Sequence, residues 1–433
     1  MREMAKDPCE PDPDRRRRAW TTAAAIAGCG LLARIILAFA IVPQWERSAG
    51  VPHDPDSYIV LARSLVDHGS FGFGSQGADP TTVRGPGYPA WLGLGILLGG
   101  DDPRWMGVWG GIPGLIVAAA IAFLLARRAG MLAAIIGGSI AAIHPIPAIV
   151  ASRVMGDDFT AATGVAGLLV WDVALREKRR GRACALSAAA GLLLALHMLT
   201  RASGVLTLAA AAGFALARRP RRPAIAVLLV GVALLPPLLW SVRSSRLEGR
   251  FVFVHSLAAY NFWVGEALDR LGTGGEKGAR WGEVTRLVLA QSGRSGEEAD
   301  RFWYGDLTPR ETAAFDGALA RSAVRRVAQD PLGYAARAAR GIAQFWYQAE
   351  TRSRSWQYLI AALPVLILAL AGAWSCLRGG GDGAFLAALL LAFILLHDAA
   401  YAATFPMARM SVQVYPALAY LAGCFRGTCG SGR

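Results

Sequence analysis

Charged side chains are scarce in this chain of 433 residues, where Asp, Glu, Lys and Arg together make up 18%. Soluble domains carry about 25%. Hydrophobic residues account for 54%, and the 50 glycines lie outside that share. A soluble protein of this size needs more charged surface than this, so the composition excludes a water-soluble globular enzyme. What remains is a helical protein with many membrane spans.

Cysteine is scarce too, and none of the six residues belongs to a Cys-x-x-Cys pair. Structural zinc sites are often built from such pairs. The six also lie outside the segments predicted below to be external, where an oxidising environment would favour disulfides. Neither a structural disulfide nor a structural zinc site is expected.

Acidic residues are outnumbered by basic ones, 31 against 45, which gives a formal net charge of +14. The basic residues form short clusters between apolar stretches, at Arg15–Arg18, Arg127–Arg128, Arg176–Arg182 and Arg218–Arg222. This distribution is typical of cytoplasmic loops in membrane proteins. It argues against nucleic acid as a partner and indicates contact with membrane lipids.

Apolar runs of about 20 residues, long enough to cross a bilayer, recur along the chain. They predict an all-α polytopic membrane protein with about ten transmembrane helices, at 20–42, 104–126, 131–150, 157–175, 183–199, 203–217, 223–241, 355–377, 384–403 and 409–425. The apolar run 88–100 is shorter, and we predict an interfacial or re-entrant helix there.

These spans divide the chain into four parts. They are a basic cytoplasmic tail 1–19, a transmembrane module 20–241 that includes a large external loop 43–103, an external amphipathic helical segment 242–354, and C-terminal spans with a short cytoplasmic tail at 355–433. Because the basic clusters mark the inside, both termini are predicted to be cytoplasmic, in a bacterial-type inner membrane.

Within the external segment, apolar residues of the stretch 318–345 recur near helical spacing, with arginines between them. This pattern predicts an amphipathic helix lying on the outer leaflet.

The first external loop begins with His53-Asp54-Pro55-Asp56-Ser57-Tyr58. A carboxylate near an apolar surface has a raised pKa, so Asp54 or Asp56 could serve as a general base or hold a metal. The alternative is a hydrated loop in which an aspartate caps a helix. The motif alone leaves both interpretations open.

Further charged residues stand at the predicted external ends of other spans. Arg84 precedes a Pro-Gly turn and could bind a phosphate, or it could snorkel to the interface. Asp157 opens the fourth span, where helix capping is an alternative. Arg201, Arg243 and Arg409 are isolated basic residues at the same level. Together they suit an anionic, lipid-linked substrate.

The ordered set of these motifs resembles the GT-C glycosyltransferases, and most closely the protein O-mannosyltransferase and lipid A aminoarabinose transferase type. The matching pieces are Asp54-x-x-x-Tyr58, Arg84-x-Pro86-Gly87-Tyr88-Pro89, His144-Pro145, Leu199-Thr200-Arg201, Pro237-x-x-Trp240-x-x-Arg243, Asp330-Pro331-x-x-Tyr334 and Arg409 followed by Tyr415-Pro416. They extend in order over nearly the whole chain.

This resemblance implies inverting transfer of a sugar from a polyprenyl-phosphate-linked donor to a lipid, glycan or protein acceptor at the external face. By position, Asp54 would be the catalytic carboxylate, while Arg84 and Arg201 would bind the donor phosphate. Asp157 would orient the acceptor or a metal. Many members have an adjacent Asp-Glu pair where this chain has Asp54-Pro55-Asp56, so the choice between Asp54 and Asp56 stays open.

Other details of the site also stay open. A divalent cation held by Asp54 and Asp157 is compatible with the sequence, as is no metal at all. Tyr58 and Tyr88 could stack on a sugar face, or they could belong to an interfacial aromatic belt. A secondary transporter or flippase of a lipid-linked or small anionic substrate is the alternative function, and a noncatalytic lipid-binding component is another.

Overall fold

The computed structural model describes residues 13–49, 52–74, 79–217, 222–272, 277–299, 301–349 and 351–425. The predicted basic tail up to residue 12, most of the basic cluster at 218–222, and Cys9 and Cys429 lie outside these ranges. In the described part of the chain, the regular elements are helices, and the only β-type pairing is an isolated bridge between Gly72 and Pro80.

In the part of the chain that the structure describes, the first half forms eleven α-helices. They are α1 (Pro13–Ile36), continued by a π-helical turn (Leu37–Ile41) into α2 (Val42–Ala49), α3 (Tyr58–His68), α4 (Gly87–Gly99), α5 (Pro103–Arg128), α6 (Met131–Ile143), α7 (Pro145–Ala151), α8 (Asp157–Arg176), α9 (Arg180–Thr200), α10 (Gly204–Ala217) and α11 (Pro223–Glu248).

The second half adds eight α-helices. They are α12 (Ala258–Leu271), α13 (Lys277–Ser292), α14 (Pro309–Gln329), α15 (Pro331–Tyr347), α16 (Arg352–Gly379), α17 (Gly381–Ala403), α18 (Ala408–Ser411) and α19 (Tyr415–Gly423). Short 3-10 turns occur at Tyr304–Asp306 and Val412–Val414.

Eight helices in the described residues are long and apolar enough to cross a membrane. They are Asp14–Ser48, Pro103–Arg128, Met131–Ala151, Asp157–Arg176, Arg180–Thr200, Pro223–Glu248, Arg352–Gly379 and Gly381–Ala403. The prediction of an all-α polytopic membrane protein is therefore confirmed. The apolar run 88–100 forms α4, which has 13 residues and is too short to span, as predicted.

Two of the ten predicted spans differ in the structure. The stretch 203–217 is a helix of only 14 residues, α10. The stretch 409–425 is not one helix but α18, a 3-10 turn and α19 in succession. Pro416 lacks a backbone N–H and occupies the first turn of α19, where no helix hydrogen bond is lost.

The predicted amphipathic helix at 318–345 is also divided. Asp330 ends α14, and its carboxylate accepts a hydrogen bond of 2.8 Å from the Gly333 N–H at the start of α15. Pro331 occupies the first position of α15, where the missing N–H costs nothing. The prediction of a single helix was wrong because the capping aspartate and the proline together start a new one.

Ion pairs join the basic clusters at one end of the helix bundle. Arg128 lies 3.7 Å from Asp172, and Arg176 lies 3.4 Å from Asp382. Arg15 donates to the carbonyl of Arg127 at 3.3 Å. We call this the basic end. The loops that follow α2, α7 and α9 lie at the opposite end, together with α12–α15.

Buried charge also ties the first helix into the bundle. Arg34, inside a predicted span, is fully buried and lies 3.0 Å from the carboxylate of Asp158 in the first turn of α8. Such a pair explains how an intramembrane arginine is tolerated, because both charges face the protein interior.

Candidate active site

A cavity of about 200 Å³ opens at the end of the bundle opposite the basic end. It is lined by residues from seven separate parts of the chain. Among them are Asp56, Tyr58, Arg84, Arg201, Tyr304 and Arg409. The cavity thus brings together most of the charged residues that the sequence singled out at external helix ends.

Asp56 lies between two arginines of this cavity. One carboxylate oxygen accepts from Arg84 Nη2 at 2.7 Å, and the other accepts from Arg409 Nη2 at 2.8 Å. Burial alone would raise the pKa of Asp56, but Arg84 and Arg409 hold it well below its ordinary value. The carboxylate therefore stays ionised at physiological pH.

Asp157 continues the same pattern. Its carboxylate accepts from Arg409 Nε at 2.8 Å and from Arg201 Nη2 at 2.7 Å. Gln413 adds a longer contact of 3.4 Å. Arg84, Asp56, Arg409, Asp157 and Arg201 thus form one continuous series, which we call the ion-pair chain. Three arginines and two aspartates give it a formal charge of +1.

Asp54 is separated from this cavity and serves a different purpose. Its two carboxylate oxygens accept from the backbone N–H groups of Tyr58 and Ile59, at 2.9 and 2.7 Å. These are donors of the first turn of α3, which otherwise lack partners. The capping alternative therefore describes Asp54, while Asp56 lies in the cavity. Ser57, which follows Asp56, has φ of 57°, an uncommon conformation for a residue with a side chain.

Burial raises the pKa of Asp54 to about 6, because its effect is larger than that of the two backbone hydrogen bonds, which lower the pKa. A raised pKa means that the folded state binds the proton more tightly, so this group's stabilising contribution is lost as the pH rises from about 4 through about 6. Between pH 4.5 and 7.5 the unsubstituted protein should therefore lose about 2 kcal/mol of unfolding free energy through Asp54. The Asp54→Asn variant, which has no proton to lose at this position, should not show that loss. Thermal unfolding in detergent at both pH values measures it.

The control for this prediction is Asp67→Asn, because Asp67 is exposed on α3. Its substitution should leave the pH dependence of unfolding unchanged. An Asp54→Asn profile parallel to that of the unsubstituted protein would contradict the assigned pKa.

Arg84 is held against the cavity by a tightly packed loop. A Cβ atom on Gly85 would lie 2.0 Å from the carbonyl oxygen of Leu199, so only glycine allows this approach to the end of α9. The guanidinium donates to the Tyr304 hydroxyl and lies 4.8 Å from the centre of that ring. The close approach explains why Arg84 and Arg201 reach the same cavity.

Besides Asp157, two predicted substrate-binding residues do not line the cavity. Arg243 donates to the carbonyl oxygens of Thr81 and Phe71, both at 3.1 Å, and so supports the loop that carries Arg84. Tyr88 is fully buried and packs edge-on against Tyr58, with ring centres 5.0 Å apart. Both lie behind the cavity wall. Asp157 is fully buried behind Arg201 and Arg409, so its predicted contact with substrate stays a prediction. The predicted contacts of Tyr58, Arg201 and Arg409 also stay predictions, and their place in the cavity lining supports them.

An apolar groove of about 540 Å³ adjoins the cavity. The π-helical turn and α2 form one side of it, and α7 and α16 form the other, with side chains such as Ile41, Ile149 and Tyr358. Met407 and Arg409 line both the groove and the cavity. The groove therefore leads along apolar surface directly to the ion-pair chain.

The donor set does not fit the divalent cation considered for Asp54 and Asp157. Both oxygens of Asp54 face backbone amides, and those of Asp157 face arginines. No three His, Cys, Asp or Glu side chains of the described residues form a group that could hold a metal ion. We derive no chemical step through a metal.

Sequence reasoning did not find three polar residues of this region: His255, Tyr304 and Gln413. Tyr304 lies in an aromatic cluster, Phe302-Trp303-Tyr304, which was a usable signal in a polar segment. His255 and Gln413 carried no such signal, because a single polar residue beside apolar ones has many structural explanations.

Comparison with solved structures gives the same architecture. The chain is similar to the archaeal oligosaccharyltransferase AglB from Archaeoglobus fulgidus in complex with an inhibitory peptide and a dolichol-phosphate, with TM-score 0.53 and 14% identity over 92% of this chain and 50% of that one. The same enzyme tethered with an acceptor peptide gives TM-score 0.54 and 15% identity, over 92% and 49%. This chain has the GT-C fold. It spans about half the length of these relatives.

A weaker similarity is to ArnT from Cupriavidus metallidurans, with TM-score 0.37 and 14% identity over 85% of this chain and 72% of that one. The GT-C assignment does not depend on it. No protein-family model and no curated protein matches the chain.

Proposed function

We propose that this GT-C protein is an inverting glycosyltransferase that moves a sugar from a polyprenyl-phosphate-linked donor to an acceptor hydroxyl. The observation that carries the proposal is the junction at Arg409, where an apolar groove meets a cavity containing three arginines. A lipid chain and a phosphate joined to it need those two surfaces in that order.

The arginines supply the phosphate site. Guanidinium groups bind phosphate oxygens through paired, charge-assisted hydrogen bonds. A phosphodiester carries one negative charge, which matches the formal charge of +1 on the ion-pair chain. Asp157 holds Arg201 and Arg409 side by side, so the two guanidinium groups are positioned before the donor arrives.

The groove supplies the site for the lipid tail. Its lining is mostly apolar, so an isoprenoid chain can pass from the hydrocarbon of the bilayer into the groove without exposing apolar surface to water. AglB, which shares the fold, has been solved with a dolichol-phosphate. This supports the same class of lipid for the present chain.

Asp56 is the proposed general base. When a donor phosphate draws Arg84 and Arg409 away, the pKa of Asp56 rises and its carboxylate can accept the acceptor's proton. The acceptor oxygen then forms a bond to the anomeric carbon as the bond from that carbon to the phosphate oxygen breaks. Polyprenyl phosphate leaves with both electrons of that bond, and the arginines stabilise its charge.

The orientation is part of the proposal. The basic end of the bundle would face the cytoplasm, with both termini there, and the cavity would open on the external side of a bacterial-type inner membrane. Membrane lipids and the acceptor, whether lipid, glycan or protein, would reach the site from that side.

Turnover in proteoliposomes tests the function. Purified protein is reconstituted with undecaprenyl phosphate bearing a radiolabelled sugar, and a membrane extract supplies acceptors. We expect the label to pass to an acceptor while equimolar undecaprenyl phosphate appears. Movement of the intact labelled lipid across the bilayer would instead identify a flippase, and binding without either change would identify a lipid-binding component.

A further inference from the structure

The side of the cavity that faces the ion-pair chain has a different character. It is formed by the start of α12 and the residues just before it, and includes His255, Tyr260 and Asn261. No hydrogen bond joins His255 Nε2, the Tyr260 hydroxyl or the Asn261 side-chain amide to another described residue. We call these three side chains the polar wall. The carboxylates opposite, by contrast, have arginine partners on every oxygen.

The hydrogen-bond role of His255 follows from its other nitrogen. Nδ1 lies 2.9 Å from the carbonyl oxygen of Ser256, and a carbonyl only accepts, so Nδ1 carries the hydrogen and Nε2 keeps a lone pair. Burial, together with the charges of Arg201 and Arg84, lowers the pKa of His255 to about 4. The ring is thus neutral at physiological pH, and Nε2 is a hydrogen-bond acceptor.

The backbone around His255 is strained in a way that fixes its position. Val254 and Leu257 have φ of 63° and 74°, a region that is strained for a bulky L-residue. His255 N–H donates to the carbonyl of Phe253 at 2.8 Å, closing a three-residue turn around Val254. Ser256 N–H donates to the carbonyl of Thr82 at 2.9 Å. The strained turn is therefore anchored to the loop that carries Arg84.

Unpaired polar groups in a small, aromatic-walled cavity point to a hydroxyl-rich ligand. The polar wall offers one fixed acceptor, one hydroxyl and one amide that both donates and accepts. The Tyr260 ring packs edge-on against Tyr304, 5.6 Å away. A cavity of about 200 Å³ is smaller than the ~300–1,000 Å³ of drug-sized sites, which suits one sugar ring.

We propose that His255, Tyr260 and Asn261 bind the hydroxyl groups of the donor's sugar and select that sugar. This proposal rests on the proposed function, because it takes the ion-pair chain as the site of the donor phosphate. One sugar ring then lies between the two walls, with its phosphate on the arginines and its hydroxyls on the polar wall.

Binding measured with and without the sugar separates the two proposals. The probes are undecaprenyl phosphate alone and the same lipid bearing glucose, mannose, galactose or arabinose, with dissociation constants from native mass spectrometry. We expect at least one glycosylated lipid to bind at least ~10-fold tighter than the bare lipid, because its hydroxyl groups would add hydrogen bonds to the polar wall. His255→Phe and Asn261→Leu should each remove most of that gain while binding of the bare lipid changes less than about twofold.

Two variants sharpen the test. His255→Gln keeps an acceptor oxygen and should recover part of the gain, which a purely structural histidine would not require. His68→Phe, at an exposed position on α3, is the matched control and should change nothing. Equal binding of all five lipids, or loss of the bare lipid in both His255→Phe and Asn261→Leu, would overturn the sugar site alone. Failure of the unsubstituted protein to bind any of the five would overturn the proposed function with it.

Discussion

Arg409→Met should reduce sugar transfer at least ~100-fold and weaken donor binding comparably. Arg409 touches both buried aspartates and lines both the cavity and the groove. Its loss removes a charge-assisted contact to the phosphate, which contributes about 1.5–3 kcal/mol per hydrogen bond. It also leaves Asp56 and Asp157 repelling each other in a buried site. The measurement is initial transfer rate and donor affinity in proteoliposomes.

Arg63→Met is the matched control, because Arg63 is exposed on α3 and forms only a surface ion pair with Asp101. It should leave the rate unchanged. The Arg409→Lys variant keeps the positive charge but lacks the planar guanidinium that donates to both carboxylates. It should therefore retain more activity than Arg409→Met but less than the unsubstituted protein. Near-normal transfer by a well-folded Arg409→Met protein would contradict the proposed phosphate site.

Asp56→Asn should lower the transfer rate by about 10²–10⁴-fold, the range typical of a lost general base, with donor affinity retained or increased. Asparagine keeps the shape but accepts no proton, and it no longer competes with phosphate for Arg84 and Arg409. The measurement is single-turnover transfer with saturating donor, alongside donor binding by the same variant.

Asp54→Asn is the informative counterpart, because the resemblance to GT-C members placed the catalytic carboxylate there. In the structure Asp54 caps α3 and does not line the cavity, so its substitution should change the rate by less than about tenfold. If Asp54→Asn were the inactive variant and Asp56→Asn the active one, the assignment of the base would be reversed.

The fold was largely predictable because bilayer thickness requires apolar runs of a certain length. Eight long helices were recognised this way, and the resemblance to GT-C proteins is confirmed at the level of fold. The segment 409–425 was harder. Its composition is that of a span. Its polar residues Arg409 and Gln413, however, donate hydrogen bonds to Asp157, and a new helix begins at Pro416 and its neighbour Tyr415.

The site was predictable in outline and not in detail. Isolated charges at external helix ends indicated a shared anionic ligand, and Asp56, Arg84, Asp157, Arg201 and Arg409 do meet. Whether a neighbouring aspartate caps a helix or enters a cavity depends on the local turn of the backbone, in which Ser57 has a left-handed conformation. Composition and spacing carry no information about that choice. For the same reason the sequence could not separate Arg243, which supports a loop, from arginines that line the cavity.

The ion-pair chain has a consequence for biogenesis. Its members come from the loops before α3 and before α4, from α8, from the end of α9 and finally from α18, more than 350 residues after Asp56. During synthesis the two aspartates enter the membrane long before Arg409 is made. On the proposed function, the donor-phosphate site therefore stays incomplete until the last helices of the chain insert.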